Sequence, residues 1–514
     1  MYNQNIGVSG MAKQNESEYR RRAYLKAIGA GSVVGFAGCL GGDGDGGSST
    51  PTETETPTDM SAEETTGTSD GGTPGTSTGE TTGKSDGGTL TQSDVDWPDL
   101  SGTEVQIIID ETSDAVRNYY NGVGEGFNSA TGATLNLEYV GRNVSGVERV
   151  TQLLQAGDPP EIFAMNQNNA TAFEAQGVLE PVTDTMTEIE GRLGEANKHV
   201  EFEGEQWLIP TFFNITTWFW RGDLAQEVGM DQRPDWSWDS ALQYAQQVNE
   251  MDGVQGIYIP TGSGPHATTM FWSWLNTNDG SIVTWENDEI TVNFDQGENR
   301  QRMIEVLNFL NDAHQYSPVA SDSGYGTWAR SIPNGVSASV NYVGYRPKMY
   351  AIQDERDFAA DVHAAQMPAN RSRTTIGNVD GFGVFNGANT EAAKTFLQYF
   401  TQIGNLIDLY KINPVHDIPP YPKVRDSQAY SDFLSSLPDA YTEEDTRAYQ
   451  ERVASNFEIS INQTDPANPY AGTITSADAI PNMMQAVLLD DQNPDDVIDQ
   501  YAQQLQQTLD KAQN

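Results

Sequence analysis

"EVQIIID", from Glu104 to Asp110, reads as a buried strand, with three consecutive isoleucines after an alternating start. The next stretch, "VRNYYNGVGEGFNSATG", has apolar residues at helical spacing and stops at Gly132. "ATLNLEYV" (Ala133–Val140) then alternates apolar and polar residues as a half-buried strand does. "VERVTQLLQAG" returns to helical spacing and ends at Gly157, and "EIFAM" (Glu161–Met165) supplies a third strand. A β-α-β-α-β order predicts a parallel, doubly wound sheet, because parallel strands need a crossover and a helix is the usual one.

The same reading extends downstream. "SWDSALQYAQQVNEM" is a helix with Ser237 near its N-cap, and "VQGIYIP" (254–260) is a strand. "NRQRMIEVLNFLNDAHQ" is a long amphipathic helix, and "GFGVF" is a strand. "TEAAKTFLQYFTQIG" is a helix with Thr390 as N-cap, and "DDVIDQYAQQLQQTLDKAQ" is a terminal helix with polar faces. No repeat of fixed period is present. Residues 98–514 therefore form a large α/β body.

Several stretches of that body carry a family resemblance. "AGDPPEIF", then "FEGEQWLIPTFFNITTWFWRGDLAQEVGM", then "DWSWDSALQYAQQV", resemble in order and spacing the extracellular solute-binding proteins of sugar ABC importers, the maltose-binding-like family. "FWSWLNTNDGS", "IPNGVSASVNYVGY" and "VDGFGVFNGANTEAAKTFLQYFTQ" continue the likeness, which spans Val105 to Gln513. It implies an α/β protein of two lobes, interleaved in sequence and joined by crossing segments, with a ligand cleft and a hinge between them. It also implies a monomer without enzymatic activity or cofactor, delivering a carbohydrate ligand to membrane-bound ABC permease subunits. Such a cleft suits sugars: aromatic faces cover the C–H faces of the ring while fixed polar groups pair with the hydroxyls.

Candidate ligand contacts follow from the same stretches. Asn166, Gln167 and Asn168 follow the "EIFAM" strand, and ligands of open α/β sheets sit beyond the carboxyl ends of parallel strands. The resemblance puts sugar-contacting polar groups there; an ordinary polar turn is the alternative. Asn214 stands where relatives carry a ligand-facing acid or amide; a hydrogen-bonded core amide is the alternative. Trp218 and Trp220 lie two apart, so in a strand they share a face opposite Phe219, and Trp218 is the cleft candidate. Trp272 and Trp274 share a helical stretch in which one of them packs. Trp328, in the Gly-rich "GYGTWARS", has little in its neighbourhood to bury it and is a stacking candidate. Tyr345 aligns with an aromatic that stacks on sugar in relatives, although they have Trp there and Met at the position of Ser339. Asp380 and Phe382 flank Gly381 where relatives present backbone and side chains to the ligand.

Upstream of the body the chain reads as an address and a tether. Residues 1–39 contain "YRRRAYLKAIGAGSVVGFAGC". Arg21 and Arg22 open a stretch resembling the twin-arginine export motif. Phe36 to Cys39 resembles a lipobox, in which Cys39 becomes the lipid-bearing first residue. The apolar run is shorter than the about 20 residues a membrane span needs. Residues 40–97 are Thr, Ser, Gly, Glu, Asp and Pro, with almost nothing to bury, and read as a disordered tether of about 40 Å rms reach. Cys39 is the sole cysteine, so no internal disulfide forms.

Composition narrows the function classes. Against 28 Lys and Arg stand 73 Asp and Glu, a formal charge of −45. That excess excludes nucleic acid and an anionic membrane surface as partners, and self-repulsion of this size suits a halophile's high salt. The five histidines are scattered without an H-x-x-x-H pair, so no metal site is expected. "TGSGPHA" (Thr261–Ala267) lacks the Lys of a phosphate-binding loop and reads as a turn. Asn143, Asn169, Asn214 and Asn462 head glycosylation sequons, and Asn143 and Asn462 are the plausible ones, since the other two fall at proposed cleft positions. A lipid-anchored extracellular binding protein for a carbohydrate, an oligosaccharide above all, leads. A glycerol-phosphate or polyol binder of the same class would need cleft cations, with Arg221, Arg330 and Arg346 the ones to watch. A secreted glycoside hydrolase, needing two paired carboxylates, and a stalked surface adhesin are the remaining classes.

Overall fold

The computed structural model describes residues 95–513, apart from 142–143, 203, 231–234, 252, 287–288, 319–323, 388, 443–445, 447–448, 451–456 and 460–467. The expected export signal with Arg21, Arg22 and Cys39, nearly all of the tether, and Asn143 and Asn462 lie outside the described residues.

The β-α-β-α-β series forms as read. Strands β1 (Glu104–Ile109), β2 (Thr134–Tyr139) and β3 (Ile162–Asn166) alternate with helices α1 (Asp114–Thr131) and α2 (Val144–Ala156). β1 pairs in parallel with β2 on one side and β3 on the other. Gly132 ends α1 at φ 79°, where its N–H reaches the Asn128 carbonyl, a left-handed cap that a Cβ would strain. Beyond β3 the sheet ceases to be parallel. β7 (Thr375–Phe385) runs antiparallel to β3, and β4 (Ile209–Arg221) runs antiparallel to β7. The main path is thus β5-β4-β7-β3-β1-β2, with β5 (Ser339–Val343) on the outer edge of β4 and β6 (Val362–Ala365) also pairing with β4.

Two elements divide between lobes. The first half of β4 and the second half of β7 belong with β1–β3, covered by α1, α3 (Gln167–Ala175), α4 (Thr183–Leu193), α10 (Thr390–Phe400) and α11 (Ile403–Tyr410). The second half of β4 pairs instead with β5 and β6. Around that half gather α5 (Trp238–Asn249), α6 (Pro265–Asn276), α7 (Gly297–His314), α8 (Tyr325–Ala329) and α9 (Arg346–Gln353). The late helices α12 (Ala479–Leu488) and α13 (Pro494–Gln513) pack with α7 and close this side.

Local signals held at most ends. Ser237 caps α5, its hydroxyl accepting from Ser240 N–H at 3.1 Å. Thr390 does not cap α10: it is the first helical residue, and Asn389 precedes it with its amide spent on the Glu104 carbonyl. The strand expected over 254–260 is also corrected. The segment lies so close under α5 that a Cβ on Gly256 would sit 1.9 Å from the Ala245 carbonyl oxygen. Its N–H groups are shared between the β5 side (Tyr258 to Ser339) and the Tyr316–Ser317 turn (Ile257 and Ile259), so only isolated bridges form.

Candidate functional site

β2 and β3 flank β1: the crossover through α1 leads from β1 to β2, and that through α2 returns past β1 to β3. Between β1 and β3 the strand order reverses, and a crevice opens beyond the carboxyl ends of such a pair. A half-open groove lies at that place. Asp110 and Glu111, just past β1, form one wall with Tyr120 of α1; Met165 of β3 and Asp380 to Phe382 of β7 form the floor. Thr211 and Phe212 of β4, Ile412 and Asn413 past α11, and Asp417 complete it. Four acids from three separate segments thus face one opening together with three aromatic rings. Among the described residues that line it there is no Lys, Arg or His. The rings are held firmly: Tyr120 stands edge-on to Phe382 at 6.2 Å and stacks on Phe400 at 5.9 Å.

The expected contacts divide. Asp380 and Phe382 line the groove. Asn166 pairs in register with Asp380 across the sheet, but its side chain caps α3, accepting from Asn169 N–H at 3.1 Å. Gln167 is fully buried; its Oε1 accepts from Val379 N–H at 2.8 Å and its Nε2 donates to Asn378 Oδ1 at 3.1 Å. It stitches α3 to β7. Asn168 is buried beside it and accepts from the same Nε2 at 3.3 Å. Asn214 is a hydrogen-bonded amide, donating to the His416 carbonyl at 2.7 Å and to Asp417 Oδ1 at 3.3 Å.

The aromatic candidates of the second lobe are all buried, and none of them lines this groove. Trp218 shares a face of β4 with Trp220, as its spacing requires, but that face meets Trp236 and Trp274 at 6.0 and 5.8 Å. Trp272 lies in α6, where every residue from His266 to Asn276 is buried; a helix covered all round is core. Trp328 is 0% exposed rather than open: its loop winds into α8 and the indole meets Tyr342 of β5 edge-on at 4.8 Å. Tyr345 is enclosed by Phe219, Tyr441 and Tyr449. "TGSGPHA" is a turn that leads into α6 with Pro265 at its first position. Burial lowers the His266 imidazole pKa and raises the neighbouring Tyr325 phenol to about 12, so both stay neutral at pH 7.

Residue-by-residue reading missed Asp110, Glu111, Tyr120, Phe212, Asn413 and Asp417. For the first two a signal existed. The carboxyl-end rule applied to β3 holds equally for β1, whose last letters are "IID". For Asn413 and Asp417 none existed, since they reach the groove through contacts some 200 residues distant in sequence. Among the described residues no group of three His, Cys, Asp or Glu side chains is placed to hold a metal ion.

The chain is similar to known proteins in sequence and in shape. The model of a family described as bacterial extracellular solute-binding protein matches residues 123–435. No curated protein matches the chain. Among solved structures, maltose-bound MalE3 of T. maritima superposes with a TM-score of 0.63 at 17% identity, covering 79% of this chain and 99% of that one. A Thermotoga lettingae ABC transporter solute-binding protein with bound α-D-tagatose gives 0.62 at 16%, covering 79% and 100%. One from Agrobacterium radiobacter in complex with ribitol gives 0.60 at 16%, covering 80% and 99%. These likenesses show the fold, two α/β lobes of the periplasmic-binding-protein type.

Proposed function

Because the chain belongs to the bacterial extracellular solute-binding protein family, a family of binding proteins and not enzymes, we propose that it captures a neutral carbohydrate, an oligosaccharide above all, and delivers it to an ABC permease. The observation that carries this reading is the groove at the β1–β3 reversal: carboxylates, an amide and aromatic rings line it, and among the described residues no cation does. Carboxylates and amides pair with hydroxyls, and a site built on such pairs rejects analogues that leave them unpaired. Aromatic surface covers the C–H faces of a sugar. The sugar and polyol ligands of the structural relatives support the class.

A phosphorylated polyol is disfavoured by the same lining. Of the three arginines to watch, Arg221 pairs with Asp223 and lies over the Phe358 ring at 3.6 Å. Arg330 pairs with Asp354 at 2.6 Å. Arg346 begins α9 outside the groove lining. Within the groove we assign ligand contact to Asp380 and Phe382, joined by Asp110, Tyr120 and Phe212. Asn166, Gln167, Asn168 and Asn214 support the walls.

The reading includes a monomer, exported through the Arg21-Arg22 signal, anchored by lipid on Cys39 and held off the membrane by the tether. N-glycans on Asn143 and Asn462 fit a surface location. The acidity of the chain fits a high-salt habitat. Calorimetric titration in molar KCl against mono- and oligosaccharides, ribitol and glycerol phosphate tests the substrate class. Saturable binding of a saccharide supports it, and binding of the phosphate ester alone overturns it. Cys39→Ser should release the protein to the medium or block processing; a variant that stays membrane-bound at wild-type mass removes the anchor.

A further inference from the structure

One edge of β4 changes partner at the junction between the lobes. Toward its end β4 pairs with β5, down to Val343 opposite Thr216, and the Gly344 N–H still reaches the Ile215 carbonyl at 2.8 Å. Two residues earlier, Phe213 exchanges both hydrogen bonds with Ile418, at 3.0 and 3.1 Å. The segment 416–418 follows α11 and belongs with the first lobe; β5 and the turn after it belong with the second. Asn214 sits at the handover and holds the His416 carbonyl and Asp417 Oδ1. Asp417 also accepts from Asn413 Nδ2 at 3.1 Å, and both residues line the groove.

The His416 side chain crosses this seam. Its Nδ1 accepts the backbone N–H of Tyr345 at 2.9 Å, and the ring is 4% exposed. A backbone N–H can only donate, so Nδ1 carries a lone pair and a neutral ring has its proton on Nε2. The fit is specific to the turn. Gly344 is at φ 84°, and a Cβ there would stand 2.1 Å from Nδ1 and 2.3 Å from Cε1. Glycine supplies both the left-handed turn and the room for the ring.

We infer that His416 is a positioning residue: its neutral, Nε2-protonated ring ties the second-lobe turn at Gly344–Tyr345 to the first-lobe segment carrying Asp417, and a proton on Nδ1 releases the tie. The groups around it set the response. Asp417 faces it from its own segment, with Nε2 to Oδ1 at 3.9 Å. Among the described residues, Tyr410 of α11 feels the Asp417 charge, Tyr441 and Tyr449 stand against the Tyr345 ring, and Thr217 of β4 reaches the Tyr449 hydroxyl. Burial holds the Tyr410, Tyr441 and Tyr449 phenols above their ordinary range, so they stay neutral near pH 7. Of these groups Asp417 is the carboxylate, and it draws an imidazolium toward itself and away from the Tyr345 N–H. Acidification therefore loosens the lobes and shifts one wall of the groove.

The inference leans on the carbohydrate reading only for its effect on affinity, so its first two measurements need no ligand. Long-range ¹H–¹⁵N spectra of the ¹⁵N-histidine-labelled full chain, with His416→Asn for assignment, should show His416 as the Nε2–H tautomer at pH 7.5. Small-angle scattering should show a larger radius of gyration once that signal titrates. His416→Asn keeps an acceptor near the Nδ1 position and should stay compact into acid; His416→Leu should be expanded at every pH. For whichever saccharide binds, the Leu variant should bind about tenfold more weakly and the Asn variant nearly as well as wild type. An Nδ1–H or charged ring at pH 7.5, or a Leu variant as compact as wild type, overturns the inference. If the Leu variant fails to fold, the wild-type spectrum and the Asn variant decide. If no saccharide binds while the tautomer and the scattering behave as stated, the latch stands and the substrate class falls.

Discussion

The two halves of β4 have nearly the same local character and opposite uses. Ile209 to Ile215 runs beside β7, and Thr211 and Phe212 look into the groove. Thr216 to Arg221 runs between β5 and β6, with Trp218 and Trp220 pressed on Trp236. A reader of "IPTFFNITTWFWR" would choose the tryptophans as the sugar platform, yet they are core and the modest Phe212 borders the opening. Ring size does not decide the role; what covers the strand does. Helices α5 and α6 lie on the second half, while over the first half α1 and α11 leave a gap.

The sharpest way to break this comparison is to remove a ring from the covered half. Trp218→Ala should destabilise the chain by about 3–5 kcal/mol through lost burial and the cavity left behind. Denaturant unfolding in molar KCl would measure it; a loss under 1 kcal/mol would mean the cluster is not core. Salt comes next. With a formal charge of −45, the melting temperature should rise from low to multi-molar KCl as repulsion is screened. A flat profile would remove the high-salt reading. A smaller effect is expected on the open half. Asp380→Asn keeps the shape and removes one charge, so the fold should hold while affinity for a saccharide falls through the lost charge-assisted bond, by about 1–2 kcal/mol. An unchanged affinity would take Asp380 out of the contact set.

The smallest effect is in pH. Burial lowers the pKa of His266 and His314 in the folded chain below the ordinary 6.5. The unfolded chain then binds more protons once pH falls under that value. Their contribution is complete above about pH 6.5 and is lost progressively below it. His266→Gln should flatten the slope of stability between pH 7 and 5; an unchanged slope would mean His266 titrates normally.

Much of the fold was readable because its signals are local. Gly132 and Gly157 mark helix ends, Ser237 a helix start, and the isoleucine run a buried strand; each acts within a few residues. The readings that failed depended on distant partners. Gly256 looks like strand interior until Ala245 is packed on it. Thr390 looks like a cap until Asn389 is seen bound to Glu104. Trp328 looks exposed until Tyr342 is beside it. Of the residues lining the groove, Asp380 and Phe382 were named through resemblance, and Asp110 could have been found through the carboxyl-end rule. Asp417 was not legible, because its place depends on Asn214, 203 residues away in sequence.

The central claim is that ligand lies on the uncovered half of β4. Calorimetric titration of one saccharide into wild type, Phe212→Ala and Trp328→Phe, each checked for an unchanged melting curve, tests it most directly. Phe212→Ala should weaken binding by about 1–3 kcal/mol through lost apolar contact, and Trp328→Phe should bind as wild type does. Unchanged affinity in Phe212→Ala, with binding lost in a folded Trp328→Phe, would contradict the claim and put the ligand on the tryptophan side.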